Sequence, residues 1–166
     1  MMSAAALIRI APAALTQAAD MPKVYTSSVI DAPTERVWVE VRDFNALPRW
    51  HPAIADSYIE LQLPSDKVGC IRSFTLKAGG RIREQLLALS DYDYSVIYSI
   101  LESPMGVRNY TATLKLTPIT DGNRTFAEWS AEFECPAERA RQLIQDIGQG
   151  VFQRGFEALK IKFQGR

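Results

Sequence analysis

The stretch VGCIRSFTLKAGGRIREQLLAL, residues 68–89, decides the fold. Two β-prone runs flank Lys77, Ala78 and Gly79, which read as a three-residue hairpin loop with Gly79 in the left-handed position. Leu76 then pairs with Gly80, opposing residue numbers sum to 156, and Arg72 lies across from Glu84. The same register puts Phe74 beside Ile82, Cys70 beside Leu86 and Val68 beside Ala88 on one face, because side chains alternate along a strand. Those neighbours are apolar, so the face points inward and carries an arginine and a glutamate with it. Either charge buried alone is costly, whereas together they satisfy each other through the guanidinium fork.

Working outward, turn signals recur from residue 54 to 134 at the spacing of an antiparallel meander: LPSD, KAGG, SDYD, ESPMG and PITDGN. Six consecutive strands result. Continuing the register places Tyr98 opposite both Glu84 and Tyr110. Inward faces follow as Tyr110, Ala112, Leu114 and Leu116 on one strand and Ala127, Trp129, Ala131 and Phe133 on the next. Upstream, KVYTSSVID is a first strand, and APTERVWVEVRDF is a short helix with Pro33 at its first position and Glu35 in its first turn. The prolines of NALPRWHP permit one more helical turn before the next strand. Downstream, Ala140, Leu143, Ile144, Ile147, Val151, Leu159 and Phe163 recur at steps that mostly fit one long amphipathic helix.

The expected fold is therefore α+β: a seven-stranded, curved antiparallel sheet with two short helices and a long C-terminal helix over its concave face. A single helix need not fill that concavity, so a cavity is expected beneath it. Gly148, Gly150 and Gly155 within the helix either permit close packing or leave room for a ligand.

The totals narrow the function. A chain of 166 residues suits one domain. Nineteen basic residues balance nineteen acidic ones, which removes the general phosphate attraction that nucleic-acid binding rests on. Cys70 and Cys135 suit reduced thiols, with no zinc spacing and no disulfide framework. Residues 1–22 are Ala-rich and broken by Arg9, Pro12 and Gln17; they read as a poorly ordered extension before a domain at 23–166, with no stable membrane insertion. A cytoplasmic location is expected. GQGVFQRG lacks the spacing and the preceding strand of a phosphate-binding loop.

Two readings of the interior stay open. The Arg72–Glu84 pair either fixes the hairpin and nothing more, or lines a cavity where Glu84 acts as a general acid or base while Arg72 and Tyr110 hold an oxygen gaining negative charge. Tyr98, Trp129, Trp50, His51, Phe74, Leu86 and Ile147 are the expected ligand contacts. His51, the sole histidine, is either a base near the cavity mouth or a surface or capping residue beside Pro52. No cofactor or metal is expected, and the partner is a small apolar molecule.

The segments IDAPTERVWVEVRDFNALPRWHP, VGCIR, REQLLAL, NYTATLKL and FAEWSAEFEC resemble, in order and spacing, the START-like (SRPBCC) superfamily, in particular its polyketide cyclase/dehydrase branch. That resemblance implies a helix-grip fold that binds polyketide- or lipid-like ligands. VGCIR, REQLLAL and NYTATL are also similar to lachrymatory-factor-synthase-like proteins, in which an arginine, a glutamate and a tyrosine serve a proton-transfer rearrangement of a small sulfenic acid. The similarity would put those roles on Arg72, Glu84 and Tyr110.

Overall fold

The structure, a computed structural model, describes residues 21–164; most of the expected 1–22 extension, and the end of the expected 23–166 domain, lie outside them. Strand β1 (Lys23–Ile30) is followed by helices α1 (Thr34–Val41) and α2 (Leu47–Trp50). Then come β2 (Ile54–Ile59), β3 (Ile71–Leu76), β4 (Arg81–Ser90), β5 (Ser95–Glu102), β6 (Arg108–Ile119) and β7 (Arg124–Glu134). All seven form one antiparallel sheet in the order β1-β7-β6-β5-β4-β3-β2. Six strands meander, and β1 returns to pair with the last of them, Thr26 opposite Trp129. Pro33 sits just before α1 rather than at its first position, and its carbonyl accepts from Val37 N–H. Thr34, Val37, Trp38 and Val41 are the buried face of that helix.

The hairpin between β3 and β4 closes as its sequence predicts. Leu76 and Gly80 bond across the loop at 3.0 Å, Gly79 has φ +93°, and Arg72 lies opposite Glu84 with Phe74 opposite Ile82. Leu86 N–H donates to the Cys70 carbonyl. Val68 departs from expectation: the chain turns at Gly69 (φ +91°), and Val68 is exposed instead of facing Ala88 inside. Farther along, the register slides by two. Glu84 lies opposite Ile100, Leu86 opposite Tyr98, and Tyr98 opposite Ala112, with a β-bulge in β4 between Leu86 and Ala88. A slide of two keeps every side chain on its face, so Tyr98 and Tyr110 remain inside although neither position directly faces the one expected.

The C-terminal helix runs as α3 (Ala137–Gln145), a π-helical segment (Asp146–Gln153) and α4 (Arg154–Phe163). Its buried stripe is Leu143, Ile147, Phe152, Phe156, Leu159 and Phe163. The step from 147 to 152 is one residue longer than an α-turn, which is what a π-turn inserts. Ile144 is consequently exposed rather than part of the stripe, and Phe152 stacks on Trp129 with centroids 4.5 Å apart. The segment packs on β1, where Gly148 lies so close that a Cβ would meet Val24 at 3.3 Å. At Gly155 a Cβ would meet the rings of His51, Trp129 and Trp50 at 3.0–3.2 Å. Both glycines serve close packing; at Gly150 a Cβ would meet nothing within 4 Å.

Candidate functional site

Between the sheet and the π-helical segment lies a cavity of about 100 Å³. Its wall holds Arg72 and Phe74 from β3, Ile82 and Glu84 from β4, Tyr98 and Ile100 from β5, Tyr110 from β6 and Trp129 from β7. Ile147 and Val151 close it from the helix, and Leu47, His51, Ala53, Ile54, Leu76 and Met105 complete it. Of the residues singled out in the sequence, Glu84, Arg72, Tyr110, Tyr98, Trp129, His51, Phe74 and Ile147 meet here. Two do not. Leu86 is wholly buried beneath Tyr98 as core, and Trp50 lines only a neighbouring void of about 20 Å³, packed against Trp129 at 5.9 Å.

Arg72 and Glu84 are each 5% exposed. The arginine is held on several sides. Its Nε and Nη2 lie 2.7 and 2.6 Å from Glu84 Oε2, its Nη1 donates to the Phe44 carbonyl at 2.7 Å, and its guanidinium stacks 3.9 Å from the Phe44 ring. Both glutamate contacts fall on Oε2, and Oε1 takes no hydrogen bond among the described residues. No enclosed side-chain oxygen there lacks a partner, so Oε1 borders open space, and the open space beside Glu84 is the cavity. Burial raises the Glu84 pKa above the ordinary carboxyl value, with the Arg72 charge opposing the shift. A carboxyl so placed takes up and gives back a proton nearer neutral pH than an exposed one.

The tyrosines play the complementary part. Trp129 Nε1–H donates to the Tyr98 hydroxyl at 3.0 Å, which leaves the Tyr98 proton free to donate onward. Burial, reinforced for Tyr98 by Glu84 and for Tyr110 by Tyr98, keeps both phenols protonated far above their usual range. They are hydrogen-bond donors and not bases. His51 is engaged at both ring nitrogens: Nε2–H donates to the Val151 carbonyl at 3.0 Å, and Nδ1 accepts from Ala53 N–H at 3.3 Å. Burial lowers its pKa, so the ring is neutral and braces the helix against the entry to β2. His51 is therefore an interior and not a surface histidine.

Phe44, Ile54, Ile100 and Met105 are not among the residues that the sequence singles out. Phe44 holds Arg72 through a backbone oxygen, which no residue type signals. Met105 reaches the cavity from the ESPMG turn. Val151 stands on the helical stripe read from the sequence and Ile82 on the inward face of the hairpin, and Ile100 follows by extending the same alternation.

A family model described as "Polyketide cyclase / dehydrase and lipid transport" matches residues 21–164. The chain belongs to that family. Solved structures similar to this polyketide cyclase/dehydrase chain include XoxI of Bacillus cereus, at 28% identity and TM-score 0.78, covering 87% of this chain and 97% of that one. A Thermobifida fusca protein is 31% identical with TM-score 0.77 over 85% of this chain and 92% of its own. One from Nitrosospira multiformis is 29% identical with TM-score 0.72 over 87% and 97%. Among curated proteins there is no match. The similarity to lachrymatory-factor-synthase-like proteins does not appear among these matches. No helix among the described residues is long and apolar enough to cross a membrane.

Proposed function

We infer that this polyketide cyclase/dehydrase-family chain binds a small, mainly apolar molecule in the cavity under the π-helical segment, oriented by an oxygen near Tyr98 and Tyr110. The observation that carries this reading is a largely apolar wall in which Arg72, Glu84 and the two tyrosines supply the polar groups, His51 being engaged with the Val151 carbonyl and Ala53 N–H. Binding sites are of this kind: apolar walls with a few placed polar groups. A dry protein cavity of about 150 Å³ holds benzene, so the cavity of about 100 Å³ takes a ligand portion of at most one small ring. A polyketide- or lipid-sized partner would need the surrounding segments to move. Titration of the ¹⁵N-labelled protein with cyclopentanone tests the reading. Saturable shifts at Tyr98, Tyr110 and Ile147 are expected, and shifts confined to the outer surface overturn it.

A second reading is favoured by the unpartnered Glu84 Oε1. In it, Glu84 carries out acid-base chemistry without a cofactor: Oε1 removes a proton from carbon next to a carbonyl, the oxygen takes the developing charge beside a tyrosine O–H, and the proton returns at another carbon or the same one. With the proton returned to carbon no atom is gained or lost and the class is isomerisation. Where the substrate's own second carbonyl takes up the carbanion the class is cyclisation; where a hydroxyl stands β to the carbonyl its C–O bond breaks, the hydroxyl leaves as water with the proton from Glu84, and the class is dehydration. In D₂O the wild type should exchange the α-hydrogens of cyclopentanone faster than Glu84→Gln does, at equal affinity. Equal exchange by both leaves a binding protein.

A further inference from the structure

Beside the cavity lies a groove of about 480 Å³ between the tip of the β3–β4 hairpin and the π-helical segment. Ala53, Leu76 and Val151 line both spaces, so the two adjoin at these residues. The rim is fixed by Lys77 N–H donating to the Ala53 carbonyl at 2.9 Å. Two exposed cations stand on opposite banks: Lys77 on the hairpin tip and Arg154 at the start of α4. Neither forms an ion pair among the described residues. Arg154 is near enough to the interior for its charge to weigh on His51. The one acid in the groove, Asp146, already accepts from Gln142 Nε2 at 2.7 Å.

Resting on the cavity as a ligand site, we propose that the ligand is a monoanionic amphiphile, a small apolar body carrying a carboxylate, bound body-first with its carboxylate between Lys77 and Arg154. The deep end cannot take that head. Arg72 already has its carboxylate and the Phe44 carbonyl, and Glu84 Oε1 would face the incoming anion with like charge. Only the mouth offers unspent positive charge, and Gly150 leaves open space there for a head group. Two cations against one aspartate leave one net positive charge, which matches a carboxylate better than a phosphate dianion.

The test compares phenylacetate, phenylacetamide and phenyl phosphate by calorimetry on the wild type, Lys77→Gln, Arg154→Gln and the double variant. All three probes share one ring, so the head group alone differs. At low salt the wild type should prefer phenylacetate to the amide by about ten-fold or more, with phenyl phosphate no better than phenylacetate. Each single variant should lose roughly three-fold of that preference, within the range for an exposed charge pair. The double variant should bind phenylacetate and the amide alike. Equal affinity for the two in the wild type, or a preference that survives in the double variant, overturns the proposal while the cavity reading stands. A phosphate preference overturns the monoanion. Binding of none of the three rejects the cavity reading and the proposal with it.

Discussion

Replacing Glu84 with leucine removes the charge that pairs with Arg72 but keeps an apolar side chain of similar reach. The guanidinium is then left 5% exposed, with the Phe44 carbonyl and ring as its remaining partners. Breaking a buried ion pair from one side costs about 3–5 kcal/mol. For a domain of this size that lowers Tm by about 6–20 °C, at ~2–4 °C per kcal/mol. Arg72→Met should cost about the same, for it strands the carboxylate and also the Phe44 carbonyl. With both replaced, no charge is buried, and the loss of one partner for the Phe44 carbonyl leaves a deficit of only about 1–3 kcal/mol. The double variant is therefore expected to be more stable than either single one, with a coupling of at least about 3 kcal/mol. Urea unfolding followed by tryptophan fluorescence reads all four proteins, and Trp129 lies at the cavity wall as a local reporter. A Glu84→Leu cost below about 1 kcal/mol, or a double variant as unstable as the two singles added, would refute the reasoning, because the pair would then be exchanging with water.

Two further outcomes follow from groups around the π-helical segment. His51 has its pKa lowered by burial, so the unfolded chain binds the proton more readily than the native state does. The stability it contributes is complete above the unfolded value of about 6.5 and is lost as pH falls through the lower folded value; the advantage of the wild type over His51→Gln in urea should shrink below pH 6.5, and a gap that widens there contradicts the neutral brace. Gly150→Ala, in open space, should gain up to about 1 kcal/mol from helix propensity. Gly155→Ala presses a methyl group onto three packed rings at 3.0–3.2 Å, and overpacking of about 1–3 kcal/mol should outweigh the same gain; thermal unfolding that ranks Gly155→Ala above Gly150→Ala would show that the rings yield.

Much of this architecture is legible because strand parity is robust. One loop, Lys77–Gly79, fixes Arg72 against Glu84, and any error of two residues farther along leaves Tyr98 and Tyr110 on the same face. The bulge between Leu86 and Ala88 is illegible: Leu87 is an ordinary strand residue, and nothing in its type marks it as the extra one. The π-turn is equally hidden, because apolar residues at 143, 144, 147 and 151 satisfy an α-helical template that the packing of Phe152 and Phe156 overrides. The cavity wall was found where it lies on strands, through Phe74, Tyr98, Tyr110 and Trp129. From the entry to β2 only His51 is legible, and Ala53 there and Met105 in the turn after β5 are not, since alternation says nothing about loops.

The pairing of the first strand with the last has a temporal side. Lys23 waits for Glu132, roughly 100 residues downstream, and a ribosome adding ~5–20 residues each second takes about 5–20 s to supply that span. Until then the backbone of β1 has no partner strand, and nascent chains expose it to whatever else offers a sheet edge. Completion of the sheet is therefore a late event in biosynthesis, and chains truncated before residue 124 should be substrates for chaperones or proteases rather than partially working proteins.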